Sequence, residues 1–254
     1  MRHIGCMENR HSISRRRLLA YAGAAALTPV PAARAAAENP VVVELFTSQG
    51  CSSCPPADKL LGEIRTMPGV VAMSYHVDYW DYLGWQDTLA SKENSQRQYD
   101  YAKARGDMDV YTPQVIVNGG NPQVGSNRTG LLAAIETARQ RPLPVSLSIA
   151  GTAKEIVLTI GGHPALDDAM VWLMPLQRDA LVKILKGEIA GSEIAYYNVV
   201  RKILPAGMWA GRETRLTLPA DGVLPPDSKS CVALLQIGKA GPIIGCGAWG
   251  ELGA

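Results

Sequence analysis

The sequence predicts a mixed α/β fold that passes into a β-rich, antiparallel C-terminal part. Between residues 40 and 141, short apolar runs rich in β-branched residues alternate with helix-like segments. The segment RPLP at 141–144 is typical of a linker, and strand-like runs follow it at short intervals with turn residues between them. We therefore expect an export leader at 1–37, an α/β domain at 38–141 and a β-rich domain at 142–254.

Residues 1–37 have the layout of an export signal. The run RRR at 15–17 is a twin-arginine feature, an uncharged apolar stretch follows it, and ARA at 33–35 supplies a small-residue cleavage motif. The apolar stretch is too short and too rich in alanine and proline for a membrane span. We expect a twin-arginine-type signal that is removed, and a periplasmic or secreted mature chain without stable membrane insertion.

The charge of the chain argues against a nucleic-acid partner. The leader holds six of the 25 Lys and Arg residues and one of the 23 Asp and Glu residues, so the mature chain has a formal net charge of −3. It has no basic stripe and no interleaving of basic with aromatic residues, which are the marks of a nucleic-acid-binding surface.

The α/β segment should contain elements in the order β-α-β-α-β-β-α. Val41–Phe46 is apolar and β-branched, as expected of a buried strand. Pro55 and Pro56 suit the first turn of a helix, where a missing N–H costs nothing. Asn118-Gly119 is a hairpin signal between two short strands. The strands are expected at 41–46, 70–77, 114–117 and 123–125, and the helices at 57–66, 88–105 and 127–140.

The C-terminal part should consist mostly of antiparallel strands, with one helix at 196–204. Cys231 and Cys246 lie at nearly equal distances from the turn at 238–241, so we expect a structural disulfide across or beside this hairpin. Two buried free thiols and a second redox pair are the alternatives. The strands are expected at 145–150, 155–160, 169–174, 181–186, 230–237 and 242–249.

A C-x-x-C pair directly after the first strand is the main chemical feature. The stretch ELFTSQGCSSCPP at 44–56 places Cys51 and Cys54 at the start of the first helix. Unpaired N–H groups and the positive end of the helix dipole stabilise a thiolate there. Cys51 would be the exposed, attacking thiol, and Cys54 would resolve the mixed disulfide. Half a metal site and a structural staple are the competing interpretations.

Neither competing interpretation is favoured by the rest of the chain. A zinc site normally needs four ligands, and the mature chain has only two histidines, His76 and His163, far apart in sequence. Two thiolates could still hold a Cu(I) ion. A disulfide that closes so short a loop constrains the unfolded chain little, so a purely structural role gains little stability.

A second motif completes a known pattern. YTPQVIVNG at 111–119 places Pro113 directly before a strand, and cis peptide bonds in proteins almost always precede proline. Strand, C-x-x-C, helix and a later Thr-Pro before a strand resemble thioredoxin and its relatives. The motifs VELFTSQGCSSCPPAD, HVDYWDYLGW, YTPQVIVNG and NVVRKI together resemble a bacterial family of secreted thioredoxin-like proteins that is catalogued as a domain of unknown function.

This resemblance spans nearly the whole mature chain and implies a thioredoxin-like domain with an added β-rich C-terminal part. It implies that Cys51 and Cys54 are the redox pair and that Pro113 is the cis-proline beside it. In thioredoxin-like proteins the backbone next to this proline pairs with an incoming peptide, so Thr112 and Pro113 would bind substrate. The dipeptide between the cysteines is Ser-Ser instead of Gly-Pro, and its hydroxyls could donate hydrogen bonds to the first sulfur.

Two further residues are candidates for proton transfer. Thioredoxins keep a buried acid in the strand before the redox pair, and Glu44 is the nearest match, although it lies one residue further from the first cysteine. A half-buried acid with an ion partner is the alternative. His76 could be a proton shuttle, a copper ligand or a hydrogen-bonded structural histidine. The segment HVDYWDYLGW at 76–85 could form a substrate-binding rim or an aromatic plug that anchors a loop.

The motifs favour an exported thiol–disulfide oxidoreductase that acts through Cys51 and Cys54. Its partners would be protein or small-molecule thiols and disulfides, and it would need neither a cofactor nor a metal ion. The direction of electron flow stays open. The alternative is a non-catalytic protein of the same fold, either a Cu(I) carrier or an adaptor that docks a partner through its β-rich part.

Overall fold

A nine-stranded mixed sheet and a separate three-stranded sheet organise the computed structural model of the chain. The structure describes residues 40–152, 154–166, 168–226 and 228–252. The predicted export signal at 1–37 lies outside the described residues. Within the described ranges, none of the helices is long and apolar enough to span a membrane.

The order of elements predicted for residues 40–141 is confirmed. Pro55 and Pro56 lie in the first turn of the first helix, and Ser91 caps the second helix by accepting a hydrogen bond from the Asn94 amide at 3.1 Å. A short 3-10 helix at Asp81–Leu83 is the one addition. The elements are β1 (Val41–Thr47), α1 (Pro55–Ile64), β2 (Val70–His76), α2 (Lys92–Arg105), β3 (Gln114–Val117), β4 (Pro122–Val124) and α3 (Arg128–Arg139).

The C-terminal part is built almost wholly from strands, as the sequence predicts. Its strands pair antiparallel with one another, and a single four-residue helix interrupts them. The elements are β5 (Leu147–Gly151), β6 (Glu155–Ile160), β7 (Ala169–Lys183), β8 (Glu193–Val200), β9 (Leu204–Trp209), β10 (Thr214–Pro219), α4 (Ala220–Val223), β11 (Ser230–Ile237) and β12 (Ile243–Gly250).

Two elements of the C-terminal part differ from the prediction. The strand predicted at 169–174 and the first half of the one predicted at 181–186 belong to β7, a single strand of 15 residues, and residues 184–186 lie beyond its end. The helix predicted at 196–204 is wrong, because this segment ends β8 and begins β9. Aromatic and β-branched residues dominate Tyr196–Val200, and such side chains pack well on a strand paired with β7.

The large sheet has the strand order β12-β11-β7-β8-β2-β1-β3-β4, and β9 pairs with the first part of β7. β1 and β2 run parallel, whereas β3 runs antiparallel to β1 and β4 antiparallel to β3. Helices α1 and α3 cover one face of this region, where Leu61 and Leu131 pack against Val43 and Leu45. The small sheet, β10-β6-β5, packs against β7 and β11.

The seam between β2 and β8 joins the two predicted domains. One parallel backbone bridge aligns Ser74 with Val199. Side chains complete the seam, because Asn198 Nδ2 donates to the Ala72 carbonyl at 2.8 Å and Ser74 Oγ donates to the Tyr197 carbonyl at 2.9 Å. The strands of both predicted domains therefore share one sheet.

The predicted disulfide between Cys231 and Cys246 is wrong, since both cysteines are free and buried. Cys231 lies opposite Trp249, whereas Cys246 lies opposite Leu234, three positions further along β11. An odd offset places the two side chains on opposite faces of the sheet, and each belongs to a different hydrophobic cluster. Burial raises the pKa of Cys231 to about 12 and raises the pKa of Cys246 as well, so both thiols behave as small apolar groups.

Candidate active site

The Cys51–Cys54 pair lies at the N-terminus of α1 and is oxidised to a disulfide, with Cα atoms 5.4 Å apart. Cys54 is the N-cap residue of α1, so the chain enters the helix directly from the disulfide. The sequence predicts an exposed Cys51, but this residue is only 3% exposed and Cys54 is fully buried. Access to the pair is therefore controlled by the loops around Cys51.

The loop before β3 carries a cis peptide bond between Thr112 and Pro113. Ser53 connects this loop with the disulfide, because its hydroxyl lies 3.4 Å from Cys51 Sγ and donates to the Thr112 carbonyl oxygen at 3.5 Å. On the other side of the proline, the Gly125 amide donates to the Pro113 carbonyl at 2.9 Å. The structure thus brings the predicted redox pair and the predicted substrate-binding residues together.

An aromatic strip, formed by Trp80, Tyr82, Tyr79 and Tyr99, begins beside this loop. Trp80 lies between Tyr82 and Tyr79 in this strip, and its Nε1 donates to the Thr112 hydroxyl at 2.8 Å, which holds the strip beside the loop. The ring centroids of neighbours along the strip are 6.1 to 6.4 Å apart. Tyr82 is 77% exposed and Tyr99 38% exposed. Trp80 therefore anchors the loop, as one interpretation of this segment expects, whereas the substrate-binding rim stays a prediction.

Gly50 allows Trp80 to lie directly against the segment that precedes Cys51. A Cβ atom at position 50 would lie 3.0 Å from Trp80 Cβ and 3.3 Å from the Trp80 carbonyl oxygen. Any larger side chain would push the tryptophan away from the segment that precedes Cys51. The glycine is therefore part of how the aromatic strip is held at the site.

Glu44 lies on the face of β1 that points away from α1, because side chains alternate along a strand and its neighbours Val43 and Leu45 pack on α1. Its carboxylate accepts a hydrogen bond from Arg97 Nε at 2.7 Å and another from the Tyr101 hydroxyl. All three side chains are buried. Glu44 is therefore a buried acid with an ion partner, and it is not placed to exchange a proton with either cysteine.

His76 forms a buried dyad with Asp87. His76 Nδ1 lies 2.8 Å from Asp87 Oδ2, and both side chains are fully buried. Asp87 also accepts hydrogen bonds from the Gln49 and Leu89 amides, both at 2.8 Å. Burial alone would raise the pKa of Asp87, but the His76 charge, the His76 hydrogen bond and the two amides hold it below its ordinary value. Asp87 therefore stays ionised and orients the imidazole through Nδ1.

Asp58 is a further candidate, absent from those that the sequence indicates. It follows Cys54 by one turn on the same face of α1 and is 3% exposed. Burial raises the pKa of Asp58 to about 7, against the opposing effects of the His76 charge and of the nearby Thr47 hydroxyl. The signal in the sequence is an acid at i, i+4, i+7 spacing with Cys54 and Leu61, inside an otherwise apolar helix face.

Comparisons with known proteins place the chain among relatives. A crystal structure of a protein from Agrobacterium tumefaciens matches with a TM-score of 0.72 and 37% identity, over 82% of this chain and 93% of that chain. The structure of HBP35 of Porphyromonas gingivalis is similar in fold, with a TM-score of 0.57 and 15% identity over 84% of this chain and 75% of that chain. No curated protein matches the chain.

A family model also matches, and its description reads "Protein of unknown function (DUF1223)". It covers residues 42–236, from the strand before the redox pair to the end of β11. The predicted membership in a family catalogued as a domain of unknown function is confirmed at this level, and the chain belongs to the DUF1223 family.

Proposed function

We propose that the chain is a thioredoxin-like thiol–disulfide oxidoreductase that acts through Cys51 and Cys54. The observation that carries the proposal is the contact between the redox pair and the cis-proline loop through Ser53. In this arrangement a thiolate is stabilised at a helix N-terminus, next to backbone that can pair with a partner. The strand order β2-β1-β3-β4, with β1 and β2 parallel, supports the thioredoxin-like assignment.

The exchange proceeds in two steps. In the reduced protein, the Cys51 thiolate attacks a partner disulfide, so that a mixed disulfide forms and one partner thiolate leaves. The Cys54 thiol then loses its proton and its sulfur attacks Cys51 Sγ, which releases the second partner thiol. Two electrons pass to the partner, and the reverse sequence oxidises a partner dithiol. The N-terminus of α1 stabilises the Cys51 thiolate in either direction.

An extended protein segment fits this site better than a small thiol does. A segment that pairs with the backbone at Thr112 passes next to Trp80, which is hydrogen-bonded to the Thr112 side chain. The aromatic strip then continues to Tyr82, which is mostly exposed. Contiguous exposed aromatic surface is typical of a binding site for apolar side chains. Glutathione would need only the two cysteines.

Removing the exposed end of the aromatic strip should weaken exchange with proteins but not with glutathione. Tyr82→Ala is expected to slow the reduction of insulin disulfides by about 3–10-fold, because one aromatic contact is worth about 0.5–1.5 kcal/mol. The rate with oxidised glutathione should stay within about twofold, since that contact is not used. Leu181→Ala, an exposed apolar residue on β7, is the control. Equal losses with both substrates would contradict a protein partner at this strip.

Cysteine substitutions test the exchange itself. Cys54→Ser should accumulate a mixed disulfide on Cys51, whereas Cys51→Ser should form none. In the unaltered protein, thiol trapping read by mass across a glutathione series should give a potential between about −270 and −120 mV. Cys231→Ala, at a buried free thiol, should change neither result. A pair that stays locked at every ratio, or that retains metal, would replace this proposal with a structural staple or a Cu(I) carrier.

We further propose that the leader directs export and that the mature chain acts in the periplasm or outside the cell. Disulfides persist and must be exchanged in such oxidising compartments. The twin-arginine layout of residues 1–37 supports this location. Fractionation of cells that express the full chain is the measurement. Replacement of the arginines at 15–17 by lysines should leave the protein in the cytoplasm, and an unchanged distribution would contradict the proposal.

A further inference from the structure

We infer that Asp58, His76, Asp87 and Tyr196 form a buried proton-transfer cluster that serves Cys54, with Asp58 as the group that takes and returns its proton. This inference rests on the proposed thiol–disulfide exchange. It assigns a role to side chains that neither the redox motif nor the cis-proline motif contains.

The first observation is a concentration of buried polar atoms without hydrogen-bond partners. Among the described residues, no hydrogen-bond partner is present for the two carboxylate oxygens of Asp58, for His76 Nε2, or for the hydroxyls of Tyr196 and Thr47. All four side chains are at least nine-tenths buried. Buried polar atoms are nearly always paired, so unpaired ones call for an explanation. A role that requires protons to come and go is one, because such atoms must be able to gain and lose a hydrogen.

The second observation is that these atoms converge from separate elements. Thr47 and His76 are cross-strand partners at the ends of β1 and β2. The Tyr196 ring, from β8, lies edge-on to the His76 ring with centroids 4.5 Å apart. The charges of Asp58 and Asp87 both add to burial in raising the pKa of Tyr196. The His76 charge in turn lowers the pKa of Asp58, and the Asp87 charge raises it. The groups are therefore neighbours in one low-dielectric space.

The third observation is the position of the cluster relative to the disulfide. Cys54 is the N-cap of α1 and Asp58 lies one turn further along the same face, so the carboxyl group is the nearest titratable side chain on that helix. Cys54 is fully buried, and water therefore cannot readily take its proton. The charged pair of Glu44 and Arg97 points to the opposite face of the sheet and cannot substitute.

The chemistry of the cluster follows from these positions. When Cys54 attacks the mixed disulfide, its proton passes to the Asp58 carboxylate, which becomes a neutral acid suited to its apolar surroundings. Asp87 holds His76 through Nδ1 and Nε2 has no hydrogen-bond partner among the described residues, so Nε2 of the neutral imidazole can receive that proton next. The resulting imidazolium is stabilised by the ionised Asp87. In the oxidising direction the proton returns along the same groups to the Cys54 sulfur.

Other charged groups close to the dyad do not interrupt this path. Asp81 accepts a hydrogen bond from the Asp87 amide at 3.0 Å, and it lies near the surface with its own pKa raised, first by burial. Gln49 and Leu89 contact Asp87 only through their backbone amides. Asp58, His76 and Tyr196 thus remain the titratable side chains that face the interior of the cluster.

The test separates the two chemical steps by quenched-flow mass spectrometry, with oxidised glutathione as the probe. Asp58→Asn should form the mixed disulfide on Cys51 at a rate within about twofold of the unaltered protein, but resolve it about 100-fold more slowly at pH 7, as expected for loss of a general base. The slow step should recover partly at pH 9, because a larger fraction of the Cys54 thiol is deprotonated in the mixed disulfide at that pH. Glu63→Gln, which removes an exposed acid from the same helix, is the matched control.

A second measurement tests the proton transfer between Asp58 and His76 separately from any effect of the substitution on folding. The imidazole signals of His76, recorded by NMR at pH 7, should differ between the oxidised and the reduced protein, and Asp58→Asn should abolish that difference. Resolution at an unchanged rate in the Asp58 variant would overturn the inference while leaving the exchange intact. Failure of the unaltered protein to form any mixed disulfide would instead overturn the proposed function.

Discussion

Replacing Arg97 by methionine is expected to lower the free energy of unfolding by about 3–5 kcal/mol, because it leaves the Glu44 carboxylate charged and unpaired in the core. The Arg97 guanidinium is 2.7 Å from Glu44 and also contacts the Tyr101 hydroxyl and Gln236 Oε1, both at 3.2 Å. The side chains of Arg97 and Glu44 are 3% and 0% exposed.

Urea unfolding followed by circular dichroism measures this loss. Arg128→Met is the matched control, since Arg128 pairs with Glu63 at the surface and both side chains are about half exposed. An exposed pair contributes about 0–1 kcal/mol, so the control should change the free energy of unfolding little. Replacing Glu44 and Arg97 together by methionine should recover much of the stability, because no buried charge is then left alone. A loss for Arg97→Met as small as that of the control would contradict the buried pair.

Replacing Asp58 by asparagine is expected to stabilise the protein at pH 8 by up to about 4 kcal/mol. The folded-state pKa of Asp58 is raised from 3.8 to about 7 by burial, so between these two values the folded chain binds a proton that the unfolded chain has released. Stability therefore falls as pH rises through this window, and the full penalty of about three pKa units is present above it. Asparagine carries no charge and avoids this penalty.

Unfolding curves at pH 4, 6 and 8 check this prediction. The unaltered protein should lose stability between pH 4 and pH 8 relative to Asp58→Asn, and the two should be similar at pH 4. Glu63→Gln should show no such gain, because Glu63 is exposed and the Arg128 hydrogen bond lowers its pKa. A variant that is less stable than the unaltered protein at pH 8 would contradict the raised pKa. If Asp58→Asn stabilises the protein and also slows the attack of Cys54 on the mixed disulfide, then Asp58 contributes to the chemistry at a cost in stability.

Local patterns predicted the first half of the fold well. The apolar runs, the two prolines after Cys54 and the Asn-Gly turn act over a few residues, so each defines its own element without knowledge of the rest. The same is true of the C-x-x-C pair and of the cis bond before Pro113, which Ser53 links in the structure. The segment at 196–200 is a strand because it pairs with the unusually long β7 and with β2, and β2 is distant in sequence.

Two of the site predictions depend on which face of the sheet a side chain occupies, and local spacing does not show this. The spacing of Cys231 and Cys246 about a turn suggested a disulfide, but the pairing register moves their side chains to opposite faces. Glu44 has a suitable position along β1 but the wrong face, and Arg97 from α2 neutralises it. Asp58 was overlooked because an acid near a helix N-terminus usually faces solvent and favours the helix dipole.

The seam between β2 and β8 means that residues 40–141 alone would lack a strand that covers one edge of β2. Truncation after residue 141 would remove β8 and with it Tyr196, whose ring covers His76. Water would then reach Asp58, whose acidity would return to that of an ordinary surface carboxyl group. β2 would also become an open edge, exposed to pairing with other chains. The β-rich half therefore contributes a side chain to the proposed active site and closes the sheet on which that site lies.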